Sequence, residues 1–361
     1  MDDSIFDGSL VMTGGGTGGH YFPAVALAEG AAARWPGRPI AFVGARRGLE
    51  GRLLPRSPWP HILLDVEGFV GRSPWQAVRA AWRLVLACRR LKAAWKRHRP
   101  WAVVGTGGYG SAPALLVARS LGVPYFLHES NAQPGLLVQR LAAGAAGVWC
   151  GMDAVRSRLP GARCVPAGTP VRAGFLRPFA PLSTLQPPFR LLALGGSGGA
   201  RALNAALAAV APDLLARFHQ WEILHQTGAA GFQAAAGAAV QDPRYRLVPF
   251  LEDMDRVMES ASLVLTRCGA STCAELKACG RPALMVPMPG SAANHQVLNA
   301  RAMVSEGRAE LLEQGPDLAR NLTRQLVLLM ADRDRLAALS HPEPNQAVGL
   351  CLADLETWMS R

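Results

Sequence analysis

The chain has 361 residues, 50% apolar and 18% charged, with a net charge of +12. That length fits about two domains whose cores need no disulfide or metal staple, and the apolar content excludes a disordered chain. No apolar run reaches the ~20 residues of a membrane span, the acidic Met-Asp-Asp start is unlike a signal peptide, and the seven cysteines form no Cys-x-x-Cys pair, so reduced cysteines in a cytoplasmic protein are expected.

In chain order, Ser9–Thr13 reads as a buried strand running into glycines, followed by a helical stretch from Pro23 to Arg34. Ile40–Val43, Ile62–Val66, Trp101–Gly105, Pro124–His128 and Gly147–Cys150 read as further strands with helical patterns between them. This alternation predicts βαβ units and a parallel sheet. Prolines 178, 181, 187 and 188 read as a linker. A second series then begins, with strands at Arg190–Leu194, Trp221–His225, Arg246–Val248, Leu263–Leu265 and Ala283–Val286. The expected fold is α/β: two Rossmann-like domains whose parallel sheets face a central cleft. Residues 1–170 carry 20 Lys and Arg against 9 Asp and Glu, a net +11, while residues 171–361 carry only +1. An anionic partner should therefore meet the first half.

Three glycine turns follow strands: Gly14–His20, Gly105–Ser111 and Gly195–Arg201. Glycine lets backbone approach a ligand, and N–H groups at a helix start bind phosphate oxygens. The first two match Gly-x-Gly-x-x-Gly, so a dinucleotide enzyme is a rival reading. Its ribose-binding acid is missing at the end of the second strand, where Phe42-Val43-Gly44 leads into Ala45-Arg46-Arg47. No Gly-x-x-x-x-Gly-Lys-Ser/Thr is present, which excludes a P-loop NTPase.

Several motifs occur in the order of one family. They are Gly15–His20, Thr106–Pro113 around Tyr109, His128-Glu129-Ser130-Asn131 and Gly168–Arg172 in the first half. In the second half they are Gly195–Arg201, Phe250–Met254, Arg267 through Glu275, and His295-Gln296 with Asn299-Ala300. Together the chain resembles the MurG family of glycosyltransferases. The resemblance implies a B-type glycosyltransferase architecture and inverting transfer of GlcNAc from UDP-GlcNAc to the 4-hydroxyl of MurNAc in lipid I, which makes lipid II for peptidoglycan, cell shape and division. It implies no cofactor and no catalytic metal. Other cell-wall synthesis proteins are implied as partners.

The resemblance assigns donor binding to Thr17, Gly18, Gly19, Asn131, Arg172, Ser197, Gly198, Phe250, Leu251, Arg267, Ala270, Ser271, Thr272, Glu275, His295, Gln296 and Asn299. Glu275 would accept the ribose hydroxyls, Ala270–Thr272 and Ser197 would hold the diphosphate with Arg172, and Phe250 and Leu251 would frame the uracil. His295 and Gln296 would bond the sugar. Acceptor binding falls to Gly16, Gly107, Gly108 and Tyr109. Inversion needs one general base, for which His20, His128 and Glu129 are the catalytic candidates. Gly198 stands where the family usually has Gln, and Gly135-Leu136-Leu137-Val138 replaces a more polar Gly-Leu-Thr-Asn.

Asp253-x-Asp255 has the spacing of a metal-dependent transferase, yet acids at the start of an amphipathic helix, here Glu252–Asp255, suit the helix dipole without a metal. From Gly68 to His128 there is no acid but ten basic residues and four of the nine tryptophans. Ser73-Pro74 should start a helix whose face carries Trp75, Val78, Trp82 and Leu86, flanked by Arg79, Arg83 and Arg89. Such a face suits an anionic membrane surface, with no nucleic acid partner, and the resemblance implies peripheral attachment at the cytoplasmic side of the plasma membrane. The expected domains are 1–174, for acceptor and membrane, and 175–344, for UDP-GlcNAc. Residues 345–361 should form a helix crossing back to the first.

Overall fold

Leu10–Thr13, Ala102–Gly105 and Gly147–Cys150 are buried at every position, the burial of strands covered on both faces of a parallel sheet. The computed structural model describes residues 2–68, 73–196, 199–237, 241–291 and 294–360. It divides into one unit of Met1–Ala173 with Gln346–Arg361 and a second of Gly174–Asn345.

The first unit runs β1 (Leu10–Thr13), α1 (Gly18–Arg34), β2 (Ile40–Ala45), α2 (Glu50–Leu53), β3 (His61–Leu64), α3 (Pro74–Arg97), β4 (Ala102–Gly105), α4 (Ala112–Leu121), β5 (Tyr125–Glu129), α5 (Leu136–Leu141), β6 (Gly147–Cys150) and β7 (Cys164–Pro166). Its strands are parallel in the order β3-β2-β1-β4-β5-β6-β7. The winding reverses between β1 and β4, which pair from Leu10–Ala102 to Thr13–Gly105. Both glycine turns of this unit leave those two strands, at the switch point where open α/β sheets bind ligands.

The second unit runs β8 (Phe189–Leu194), α6 (Arg201–Arg217), β9 (Trp221–Gln226), α7 (Phe232–Gly237), β10 (Tyr245–Val248), α8 (Met254–Glu259), β11 (Leu263–Thr266), α9 (Ala270–Cys279), β12 (Ala283–Met285), α10 (His295–Ser305), β13 (Ala309–Leu311), α11 (Leu318–Ala331) and α12 (Arg333–Ala338). The sheet order is β10-β9-β8-β11-β12-β13, again parallel. Its switch point lies between β8 and β11, at the third glycine turn and the start of α9.

The last helix, α13 (Ala347–Met359), packs on α1 of the first unit. Gly30 permits the approach, because a methyl there would lie 2.3 Å from Val348 Cγ1. Arg163 grips Asp354 with two bonds of 2.7 Å, and the Trp149 indole donates to the same carboxylate at 2.9 Å. A planar two-pronged pair of this kind fixes orientation as well as charge.

Every strand expected from sequence is present, with ends shifted by at most two residues. Helix α1 begins at Gly18, ahead of the expected Pro23, because the glycine turn itself opens the helix. Glu252 and Asp253 precede α8 and do not belong to its first turn. Strands β7 and β13, three residues each, carry too little pattern to read in advance. The proline segment is no free linker: the buried Arg281 donates to Ala180 O at 2.8 Å and ties it to the second unit.

Candidate active site

In the first unit the two glycine turns are bonded into one edge. Gly15 N–H donates to Gly107 O at 3.3 Å, Thr106 N–H to Thr13 O at 2.9 Å, and Thr106 Oγ1 to His20 O at 2.6 Å. His20 Nδ1 lies 3.0 Å from Thr106 O. A carbonyl only accepts, so Nδ1 carries the proton and Nε2 is left with its lone pair. Gly107 and Gly108 have φ of +97° and +78°, and methyls there would stand 2.9 Å from His20 Nδ1 and 1.9 Å from Gly15 O. Tyr109 lays its ring on Gly16, whose φ is +92°. His20, Gly16, Gly107, Gly108 and Tyr109 thus converge, with Thr17 at the N-cap of α1 and Gly18 and Gly19 in its first turn.

His128 and Glu129 are placed differently from expectation. His128 is fully buried, and its Nε2 bonds Gly168 O at 2.9 Å. Burial pushes its pKa down to about 4, against a smaller upward pull from the bond to Gly168 O. A neutral imidazole without solvent contact braces β5 against the Gly168 turn; it does not collect a proton from a substrate hydroxyl. Glu129 accepts from Asn131 N–H at 3.0 Å, Asn131 Nδ2 at 3.1 Å and Gly135 N–H at 2.9 Å. Both carboxylate oxygens are therefore spent on folding the 130–135 loop, and Asn131 is bonded within that loop. Arg172 lies 4.3 Å above the Phe22 ring on α1.

In the second unit, Gly269 is the N-cap of α9 and Cys273 N–H makes an early helical bond to Gly269 O at 3.0 Å. The N–H groups of Ala270, Ser271 and Thr272 precede it, which gives the helix start its positive end. Glu275 sits one turn on, 7% exposed. Phe250 and Leu251 follow β10, half-buried. His295 opens α10 after Asn294, whose φ is +54°. Ser197 and Gly198 lie outside the described residues.

Three expected donor contacts are committed elsewhere. Arg267 donates to Val286 O at 3.0 Å, Pro287 O at 3.3 Å and Gln314 Oε1 at 2.7 Å, and burial lowers its pKa. Asn299 is wholly buried and donates to Cys268 O at 3.0 Å. Gln296 Oε1 accepts from Met288 N–H at 2.9 Å and Cys268 N–H at 3.4 Å, which turns only its NH₂ end to a ligand. These side chains bond the segments that follow β11 and β12 to each other and to α10. Asp255 lies 3.7 Å from the Arg177 guanidinium, which also holds Glu259 at 2.6 Å, so the Asp-x-Asp pair is split between an ion-pair cluster and the N-cap of α8.

Helix α3 buries Ala80, Ala87, Leu91, Ala94 and Trp95. The opposite face leaves Trp75 85%, Val78 63%, Trp82 63% and Leu86 41% exposed, so it is not packed into its own domain. Arg89 is exposed. Arg83 departs from expectation: it pairs with Glu67 and, at 3.4 Å, with Asp65, and only 20% of its side chain is exposed. Arg79 also reaches Glu67, at 3.4 Å. Among the described residues, no helix is long and apolar enough to cross a membrane.

Two residues at these switch points were not singled out from sequence. Glu50 is fully buried beneath the first glycine turn. Gln226 Nε2 donates to both Gly196 O and Pro249 O, each at 3.2 Å, tying the third glycine turn to the segment before Phe250. An acid between Gly48 and Gly51 was the available signal for the first; an amide at a strand end carries none.

Residues 10–149 match the glycosyltransferase family 28 N-terminal domain, and residues 190–348 its C-terminal domain. The chain is 37% identical over 333 residues to the UDP-N-acetylglucosamine--N-acetylmuramyl-(pentapeptide) pyrophosphoryl-undecaprenol N-acetylglucosamine transferase of Syntrophotalea carbinolica, covering 92% of each. It is 34% identical to the protein of the same name from Citrifermentans bemidjiense, covering 91% of this chain and 93% of that one. A crystal structure of MurG from Acinetobacter baumannii superposes with a TM-score of 0.68 at 26% identity, over 97% of this chain and 99% of the other. Two parallel-sheet domains, glycine turns at both switch points and this likeness over nine-tenths of the length agree: the chain belongs to glycosyltransferase family 28, with the MurG transferases.

Proposed function

We propose that the protein moves GlcNAc from UDP-GlcNAc to the 4-hydroxyl of MurNAc in undecaprenyl-pyrophosphoryl-MurNAc-pentapeptide, with inversion at the anomeric carbon. The observation that carries the mechanism is the His20–Thr106 bond of 3.0 Å, which leaves Nε2 as the basic atom at the switch point of the first unit. As the acceptor oxygen attacks the anomeric carbon, its proton passes to Nε2 and the bond to the UDP oxygen breaks. The helix start at Ala270–Thr272 and the fixed charge of Arg172 stabilise the leaving diphosphate. Tyr109 and the glycine edge around it receive the acceptor sugar. Phe250 and Leu251 frame the uracil, and His295 and the Gln296 NH₂ bond the transferred sugar. The test is transfer of labelled GlcNAc to a lipid I analogue; a purified chain that hydrolyses or ignores UDP-GlcNAc in its presence refutes the reading.

Glu275 carries the donor side, accepting the ribose hydroxyls from α9. These bonds exist in ground and transition state alike, so Glu275→Ala is expected to raise the UDP-GlcNAc KM about tenfold or more with a smaller change in kcat. A folded variant with an unchanged donor KM removes Glu275 from the site.

The exposed face of α3 attaches the protein peripherally to the anionic cytoplasmic surface of the plasma membrane. Trp75, Val78, Trp82 and Leu86 enter the interface and Arg89 meets head groups, while Arg83 holds the helix to its own domain. Charge attraction reaches about 10 Å at 0.1 M salt and about 3 Å at 1 M, whereas apolar insertion persists. Wild type should sediment with anionic vesicles at low salt and partly at high salt. Trp82→Glu with Leu86→Glu should lose the salt-resistant part and keep activity on a short-chain acceptor; vesicle binding equal to wild type would move the docking face elsewhere.

A further inference from the structure

The carboxyl ends of β2 and β3 carry a charged cluster beside the acceptor edge. Glu67, after β3, keeps only 3% of its side chain exposed. Among the described residues, the guanidinium groups of Arg47, Arg79 and Arg83 converge on it. Arg47, after β2, reaches Glu67 Oε1 at 3.1 Å and Asp65 Oδ1 at 3.4 Å. Arg79 on α3 donates to Glu67 Oε2 at 3.4 Å, and Arg83, one turn on, pairs with Glu67 and with Asp65 at 3.4 Å. Among the described residues, three cations thus face two anions, which leaves a positive excess. Arg83 is mostly covered, but Arg47 and Arg79 keep 56% and 53% of their side chains exposed. A guanidinium that gives one edge to a carboxylate can give its other N–H groups to a second oxyanion. The neighbours of the cluster tell what that anion is attached to. Gly68, next to Glu67, lies against Tyr109, since a methyl there would stand 3.4 Å from the ring Cδ1. On the other side, Arg79 shares α3 with the exposed Val78 and Trp82.

We propose that Arg47 and Arg79 form the subsite for the pyrophosphoryl group of the lipid acceptor, with Glu67 holding both guanidinium groups in place. The acceptor runs from sugar through pyrophosphate to hydrocarbon. The surface runs in the same order, from Tyr109 through the arginine cluster to the apolar face of α3. Guanidinium forks suit phosphate oxygens, giving two bonds per group and a charge that does not titrate. Glu67 weakens the net field but confines two long side chains to one place, so less rotamer freedom is lost when the acceptor arrives. A lipid head group offers the same chemistry, but the contact with Tyr109 places this cluster on the substrate's path. This inference rests on the transferase reading given above.

The test is steady-state transfer by the full chain to a short-chain lipid I analogue free in solution, where no lipid head group is present. Arg47→Gln and Arg79→Gln are each expected to raise the acceptor KM about tenfold, and the double variant further, as charge-assisted bonds are lost. Because these bonds form before the chemical step and persist through it, kcat should change less, and the UDP-GlcNAc KM should stay within about twofold. Arg47→Lys keeps the charge without the fork and should recover only part of the loss. Inorganic pyrophosphate should compete with the acceptor in the wild type and more weakly in the double variant. A double variant with wild-type acceptor constants overturns the proposal; if it also sediments less with phosphatidylglycerol vesicles, the anion met here is a head group. Donor and acceptor constants that worsen together, or failure of both single variants to fold, make the cluster part of the framework and overturn the proposal too. Absence of transfer by the wild-type chain overturns the transferase reading and this inference with it, whereas wild-type-like variants of an active chain overturn the subsite only.

Discussion

Replacing His20 by alanine is expected to lower kcat by about 10²- to 10⁴-fold, the usual contribution of a positioned general base. The acceptor hydroxyl would then lose its proton acceptor, while the donor residues of the second unit are untouched, so the UDP-GlcNAc KM should stay within about threefold. The tautomer argument sharpens the test. Thr106 O holds the proton on Nδ1, so a side chain that copies only Nδ1, as in His20→Asn, keeps the bond to Thr106 and loses the base. His20→Asn should therefore fold like wild type and be as inactive as His20→Ala. His128→Asn should behave otherwise, losing stability before it loses intrinsic rate, because the ring of His128 is buried and bonded to Gly168 O. A His20→Asn enzyme with near wild-type kcat would remove the general-base assignment.

The second large effect is on stability in acid. Burial pushes both His128 and His225 down to about 4, while an unfolded histidine titrates near 6.5. Between those values the unfolded chain takes up protons that the folded chain refuses, so stability falls as pH falls. The contribution is fully present above about pH 6.5 and drains toward pH 4. By pH 5 the loss amounts to about 2 kcal/mol per histidine, applied to the first unit through His128 and to the second through His225. Urea midpoints at pH 7.5 and pH 5 should separate clearly. His225 is held between Tyr245 OH at 2.9 Å and Asn204 Oδ1 at 3.1 Å, so His225→Gln should destabilise the second unit at neutral pH and flatten its pH dependence. Equal midpoints for wild type at the two pH values would refute the account.

Much of this was legible in the residues. Buried strands of parallel sheets are unbroken apolar runs, and glycine turns at their ends announce both the winding and the place where ligands sit. The exposure of Trp75 and Trp82 followed from helical spacing alone. Bonding commitments were not legible. Arg267 and Asn299 carry donor-site chemistry in the chain order, yet their partners, Gln314 and Cys268 O, lie 47 and 31 residues away. Arg83 reads as a surface cation in a stretch without acids, but Glu67 and Asp65 stand just before that stretch and one helical face folds back on them. Glu50 escaped because a lone acid near a strand end looks like solvated surface until three glycine segments close around it.

The return of α13 to the first unit has a consequence for synthesis on the ribosome. Residues 1–173 leave the exit tunnel before residues 346–361, with the 172 residues of Gly174–Asn345 made in between. At roughly 5–20 residues per second that interval is on the order of 10–35 s. During it Trp149, Arg163 and the Gly30 groove of α1 wait without Asp354 and Val348, while the continuous second unit can complete its sheet. The nascent chain thus exposes an apolar seam on its older half after its younger half is closed, and a chaperone acting at the tunnel mouth would find its substrate there.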